Sequence, residues 1–463
     1  MIKMPTLINW NDEIKFHVQD SKFKKPKNIE EVQAIVKQAN ADNAKVKVVG
    51  AMHSITPCFV GNDIVLSNEN MNEVLSIDKD NLTVTVQAGV PLNKLCDYLK
   101  PLGYQPPVVL EYGNFHFGAV SGTHANDSSL ADSAQVSSFV VGIKLVSSTG
   151  ELLEISEKQN QQYLSAIRSH FGLFGVVCEV TLRIWPGRSL LFTYETQEIG
   201  HFLNDFDGEM EKLRATSDQA FALIFQNVDT ILIQHRKFQD VNICPPHPLT
   251  NSLESKAVNL FTSLVLPATQ ALAGLHLHPH NAEALSNFLL QGPLDALRGS
   301  EFVINPNDRG ILYAEDDPNF EFHDWAFPEA NWPGMVRAYR DLLHRFRTEH
   351  DFLIILPTIV YFIKQDTKSL LSRSRNSNMV VVDPEHHDPR DPKWKEFRKA
   401  FGELAIQHGG IPHVNKTVDA AQTYYAESCD QDALEEFLSV RKELDPEGMF
   451  LNEFFEEMFR GRL

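Results

Sequence analysis

The sequence predicts an α+β protein of two parts, and three observations carry that expectation. The N-terminal third alternates helical with strand patterning, in the order helix, strand, three further strands, helix. Turns bearing glycine follow strands at three separated places before Pro186. The chain, at 463 residues with 43% hydrophobic and 22% charged side chains, is long enough for two or three globular cores. The first part is expected over residues 15–186 and the second over residues 187–463.

The elements follow in order. Asn28, with Glu31 three residues on, begins a capping box, and Val32, Ile35, Val36 and Ala39 share one helical face, so a helix is expected over residues 29–41. It feeds a strand at Val46. Residues 63–66, 74–77 and 82–87 read as three short strands, the last alternating with period two through Thr83, Val84, Thr85 and Val86. Pro91 opens a helix that ends near Gly103. Residues 139–150 form a strand pair with a Ser-Thr-Gly turn. Residues 188–291 are poor in motifs, although residues 222–235 alternate weakly.

Composition excludes several functions. A formal charge of −19 without long like-charge blocks repels nucleic acid and anionic membranes. The five cysteines are scattered and form no CxxC pair, so neither a disulfide framework nor a zinc site is signalled. No signal peptide and no run of eighteen apolar residues is present, and a cytoplasmic location is expected. Residues 257–275 are amphipathic and broken by Pro267; a helix packed on its own domain is expected there, and membrane association is not. His276, His278 and His280, and likewise His386 and His387, are read as solvated loop residues, so no metal is expected.

Residues 45–57, KVKVVGAMHSITP, run from a β-branched strand into a turn of small residues whose backbone N–H groups can approach an anion. An ordinary connection has the same look. Residues 117–126, FGAVSGTHAN, form a second such turn, in which Gly118 and Gly122 permit close approach and Ser121, Thr123 and His124 supply hydrogen-bonding groups. Residues 167–186 contain the third, GLFGVV. Together these turns resemble the vanillyl-alcohol-oxidase type of FAD-binding domain (the PCMH type), in the branch of the aldonolactone oxidases, the gulonolactone and arabinonolactone oxidases. The first loop of that branch reads roughly Val-Val-Gly-Gly-Gly-His-Ser. Val48, Val49, Gly50, His53 and Ser54 match it, with Ala51 and Met52 replacing two glycines. The resemblance implies FAD bonded covalently to His53. It implies cofactor contacts from Val49 through Ser54, from Gly118, Ser121, Gly122, Thr123 and His124, and from Gly175 and Val177.

The C-terminal part carries the same resemblance. Residues 444–452, LDPEGMFLN, match the family's Leu-Asp-Pro-x-x-x-Phe-Leu-Asn ending, which here is a helix stop and a turn at Gly448. Residues 409–416, GGIPHVNK, match Gly-Gly-x-Pro-His-Trp-x-Lys, whose lysine reaches the flavin in relatives. A fixed ammonium there stabilises the negative charge that grows on a flavin accepting hydride, which makes Lys416 the charge stabiliser and His413 its partner. A surface lysine is the plain alternative. The Glu-x-Arg pair that orients polyhydroxylated substrates in the branch is absent from residues 356–363, LPTIVYFI, where its positions become Ile359 and Tyr361, or Val360 and Phe362 in the other register. Removing an ion pair removes recognition of a multiply hydroxylated substrate. Tyr361 and Lys364, or Asp383, Glu385 and His386, could handle protons.

The expected molecule is thus a PCMH-type FAD domain, a mixed-sheet substrate (cap) domain and a C-terminal segment returning to the flavin. It would oxidise a carbinol less polar than an aldonolactone, with Lys416, His413 and Tyr361 as catalytic residues and O₂ as acceptor. A flavin-bearing scaffold without oxidase activity, and a dehydrogenase using another acceptor, are the alternatives.

Overall fold

Asn28 caps the first helix as its side chain suggests, its Oδ1 accepting the Glu31 N–H at 2.9 Å, while Glu31 reaches back to the Lys27 N–H. The helix, Ile29–Ala41, buries Val32, Val36 and Ala39 and delivers the chain to the strand Val46–Val49. A computed structural model describes residues 5–61, 63–240, 279–309 and 320–463. Residues 257–275, His276 and His278 lie outside the described residues; His280 stands in the first turn of the helix Pro279–Leu297, not in a loop.

Two larger sheets, besides two two-stranded ladders, form the first part. Val46–Val49 pairs in parallel with Ile64–Ser67, which pairs with Phe23–Lys24. Five antiparallel strands follow in the order Leu152–Ser156, Val140–Val146, Val176–Arg183, Thr83–Gln87 and Val74–Asp78. The helix Leu92–Leu99 buries Leu92, Leu95, Cys96 and Leu99 and stops after a short turn at Gly103, whose φ of +78° suits a residue without Cβ.

The second part is an eight-stranded sheet whose centre runs Ser189–Glu198, Thr230–Gln239, Gln219–Phe225, Thr358–Ile363, Met379–Val382 and Trp325–Pro328. A mixed sheet was the expectation. Its named strands pair antiparallel throughout, because Gln219–Phe225 and Thr230–Gln239 form a hairpin and the other strands join by returns, while Ser129 adds a parallel bridge at Ile363. Alternate residues of Thr358–Ile363 serve opposite faces. Val360 and Phe362 pack with the helices Trp332–Glu349 and Pro392–Gln407, whereas Ile359, Tyr361 and Ile363 face the other way.

The chain's end returns to the first part. The helices Ala420–Ser428, Gln431–Leu444 and Glu453–Met458 share a core with Phe117 and Phe174, and the Phe174 and Phe437 rings lie 4.9 Å apart. Asp445, fully buried, accepts the Met449 and Phe450 N–H groups at 2.9 and 3.0 Å, and Gly448 takes φ +70°. The helix stop and turn read from the sequence is therefore also an anchor, since Met449 O accepts the Val46 N–H.

Candidate active site

One cavity opens where the two parts and the returning C-terminus meet. The strand Val46–Val49 ends against it in the turn 50–54. Met52 holds φ +53°, a conformation that costs a residue with Cβ about 1 kcal/mol, and its carbonyl accepts the Trp10 N–H. The turn thus keeps a glycine-like backbone without the glycine. His53 lies among aromatic rings: Trp10 stacks at 6.1 Å, Phe115 meets it edge-on at 4.8 Å and Tyr112 lies at 5.5 Å. Burial pushes its imidazole down to about 4, against a weaker interaction with the Asn114 side chain that favours the charged ring, so it is neutral.

The C-terminal loop is sewn to this turn. Ile55 N–H and Ser54 Oγ donate to Asn415 O at 3.0 and 3.2 Å, and Thr56 Oγ1 donates to Val414 O at 2.8 Å. These bonds set Lys416 and His53 on the same cavity, although 362 positions separate them.

The segment 117–126 contributes Gly118, Thr123 and His124 to the wall. A Cβ on Gly118 would meet that of Ala88 at 2.8 Å, and one on Gly122 would lie 1.9 Å from the His170 ring, so both glycines are required by packing. Ser121 and Gly122 stand behind the wall. His170 Nδ1 accepts the Gly172 N–H at 2.8 Å, and its Nε2 bonds Ser121 Oγ at 3.2 Å. His170 and Gly172 line the cavity, whereas Val49, Gly175 and Val177 do not. Gly175 serves the sheet instead, since a Cβ there would meet Val146 O at 2.5 Å.

Lys416, His413 and Tyr361 are brought together on the wall. Lys416 Nζ lies 3.3 Å from Asp383 Oδ2 and 3.5 Å from Asp324 Oδ2, 4.4 Å above the Phe322 ring and 5.7 Å from Tyr361. Burial would lower its pKa, but the carboxylates of Asp383 and Asp324 hold it above the usual lysine value. Burial pushes Asp383 up to about 7 against Lys416, whereas Arg373 and Lys416 overcome burial and hold Asp324 well below the usual range. Arg373 Nη1 donates to Asp324 at 2.6 Å. His413 Nε2–H donates to His124 O at 3.1 Å while its Nδ1 accepts the Asn415 N–H, and burial keeps the ring neutral. Burial and then the nearby carboxylates, Glu111 first, hold the Tyr361 phenol well above its ordinary value.

The register question in Thr358–Ile363 is resolved, since Ile359 and Tyr361 face the cavity side. Ile359 and Asp383 exchange both backbone hydrogen bonds at 3.0 Å, so their side chains share a face. His386 is not in a solvated loop: it is buried, paired in a short ladder opposite Glu321, and stacked on Trp394 at 5.3 Å, because that ladder needs an apolar cover. Lys364 points away, donating to Ala131 O. Sequence reasoning missed Asp324, Arg373, Glu111 and Lys47. Asp127, which accepts from Arg236 at 2.9 and 3.0 Å and from Arg309 at 2.6 Å, was missed as well. Among the described residues no group of His, Cys, Asp and Glu is placed to hold a metal, and no helix is long and apolar enough to cross a membrane.

The cavity fits a polar anionic ligand. Lys47 Nζ, Asn68 Oδ1, His116 Nδ1, His124 Nδ1 and Asn415 Oδ1 all belong to lining residues, are buried, and lack a hydrogen-bond partner. Buried polar groups are otherwise paired, so this concentration marks a site built for a ligand. Lys47 is the most telling, a buried cation 4.8 Å from the Phe455 ring centroid with no ion-pair partner among the described residues. It is a countercharge without a partner.

Residues 21–156 match the FAD binding domain family. The fold is similar to that of cholesterol oxidase from B. sterolicum, with a TM-score of 0.75 and 13% identity, covering 99% of this chain and 97% of that one. Fold and cavity thus define an FAD-binding flavoprotein of the α+β, PCMH type. Residues 180–458 match the family described as D-arabinono-1,4-lactone oxidase, and the chain belongs to that family. The L-gulonolactone oxidases of Mus musculus and Scyliorhinus torazame are 26% and 23% identical over 445 and 441 residues, covering 94% of each chain. An L-gulono-1,4-lactone dehydrogenase of Mycobacterium tuberculosis is 22% identical over 433 residues, 93% of this chain and 94% of its own. The chain is accordingly an FAD-linked oxidoreductase acting on CH–OH donors.

Proposed function

We propose that this enzyme oxidises a carbinol less polar than an aldonolactone, with FAD tethered through His53 and with Lys416 as the charge stabiliser. The observation that carries the reading is the placement of a neutral, ring-enclosed imidazole and a fixed ammonium on one cavity. FAD, when bound, supplies a two-electron acceptor for the hydride of the carbinol. The chain's own residues supply the rest. His53 offers an imidazole lone pair for the tether. Lys47 offers a cation for the dinucleotide's pyrophosphate, beside the Gly172 and His170 wall. Lys416, held between Asp383 and Asp324, places fixed positive charge where reduction builds negative charge. Asp324 is itself held by Arg373, and His413 fixes the loop that carries Lys416.

Ile359, Tyr361, Phe322 and Trp10 favour a substrate with an apolar or aromatic body. A second reading, an aldonolactone substrate, is favoured by the carboxylates of Asp383 and Asp324 and by the relatives' names. The division into an FAD domain, residues 15–186, and a substrate domain, residues 187–463, is supported by the two family matches. O₂ is the proposed acceptor, and turnover with O₂ against an artificial dye distinguishes an oxidase from a dehydrogenase.

The test is acid precipitation of the yellow protein followed by peptide mapping. Flavin should remain on the polypeptide at His53 and should wash away from His53→Ala; a variant that keeps its adduct removes the assignment. Anaerobic bleaching by L-gulono-1,4-lactone, benzyl alcohol and cyclohexanol then ranks the two substrate readings.

A further inference from the structure

Four carboxylates share the electrostatic field of Lys416: Asp324, Asp383, Glu385 and Glu111. Oxidising a carbinol breaks its O–H bond as well as its C–H bond, so one group at the cavity must take a proton. Asp324 lines the cavity but is clamped by Arg373 at 2.6 Å and is held in its charged, weakly basic form. Asp383 is fully enclosed, with one oxygen accepting the His323 N–H at 2.9 Å and the other turned to Lys416. Glu385 is also fully enclosed. It pairs across a short ladder with Phe322 and is not among the residues that line the cavity. Glu111 remains. It lines the cavity, follows Leu110 and precedes Tyr112 on the same wall, and no described residue is hydrogen-bonded to its carboxylate.

We infer that Glu111 is the base that receives the substrate's hydroxyl proton, an assignment that rests on the oxidoreductase reading above. The carbinol O–H bond breaks and its proton passes to a Glu111 oxygen. The C–H hydrogen would leave with its electron pair to the two-electron oxidant that bound FAD would supply, and a C=O bond would form, so atoms and electrons balance. The groups facing Glu111 suit that work. Burial raises its pKa, while Arg309, Arg236 and Lys416 oppose the rise and Asp127 adds to it. A carboxyl brought toward neutrality is a better proton acceptor than one at its ordinary value. Arg309 and Arg236 are already bonded to Asp127, so they temper the charge at Glu111 without occupying its oxygens. The Tyr361 phenol stays protonated and cannot serve as the base, and among the described residues Glu111 is the carboxylate on the wall that no cation clamps.

The experiment uses the full-length, FAD-loaded enzyme and Glu111→Gln, which keeps the side chain's shape. Anaerobic flavin reduction is followed with L-gulono-1,4-lactone, benzyl alcohol and cyclohexanol across pH 5–9. The expected result is a fall of roughly 100-fold or more in the reduction rate constant and loss of its acidic limb, with flavin content unchanged. Substrate-free infrared spectra give an independent readout. Wild type minus E111Q should carry one protonated-carboxyl band that vanishes at a midpoint above the ordinary glutamate value. Equal rates and equal pH profiles, or a difference spectrum without that band, overturn the assignment alone. If none of the three alcohols bleaches the wild-type flavin, the substrate reading falls and takes Glu111's role with it.

Discussion

Replacing Lys47 by methionine separates what a buried charge costs from what it does. In the flavin-free chain Lys47 is enclosed and unpaired, and burial lowers its pKa from 10.5 to about 8, with Cys58 weakly opposing. The folded state therefore releases this proton more readily than the unfolded chain. The penalty is fully present below pH 8 and fades as pH rises toward 10.5. At pH 7 it amounts to about 3 kcal/mol. Methionine fills similar volume without charge, so Lys47→Met should stabilise the flavin-free protein by up to that amount at pH 7 and by little near pH 11. FAD binding should move the other way. Loss of a desolvated cation from a pyrophosphate is worth about 3 kcal/mol, or roughly 100-fold in Kd. The assay compares Lys47→Met in a His53→Ala background, where binding is reversible, by flavin fluorescence quenching and chemical denaturation. Riboflavin, which lacks the pyrophosphate, should bind both proteins equally. Unchanged FAD affinity, or a flavin-free protein that is less stable, would refute the reasoning.

Other outcomes follow from the same geometry. Lys416→Met should lower the flavin reduction rate constant by roughly 100-fold, read by stopped-flow absorbance, with flavin retained. Its loss should also raise the Asp383 pKa further, because Lys416, more than the His323 N–H, opposes burial there. Asp127, held down to about 2 by Arg236 and Arg309 against burial, contributes stability above the ordinary aspartate value that is lost as pH falls toward 2. Asp127→Asn should flatten that acid limb in denaturant melts and cost about 3 kcal/mol at pH 7, since it leaves two buried guanidinium groups without their anion.

What was legible in the sequence was local or carried by motifs. The helix Ile29–Ala41 and the strands near Ile64, Val74 and Thr83 announce themselves through a cap and through period. The turn at His53 and the loop at Lys416 stand out by their residue order. Lys47 gave no signal, because a lysine in a strand is ordinarily solvated and the Phe455 ring that lies over this one comes from the far end of the chain. Asp324 and Arg373 lie 49 residues apart and meet only once the sheet brings strand ends together. Glu111 looked like any loop acid for the same reason. His386 was misjudged because two adjacent histidines suggested water, whereas the ring of Trp394 was waiting to cover the first of them. The register of Thr358–Ile363 was undecidable from a run of apolar residues and became plain only when each face met a different core.

The stitches between Ser54–Thr56 and Val414–Asn415 tie the cofactor turn to the segment bearing the ammonium. A hinge between these two segments would have to tear hydrogen bonds beside the cavity. Access for substrate must therefore come from side chains or surface loops rather than from the halves swinging apart. A fragment ending before residue 410 would lose the wall of its reaction chamber along with the cation.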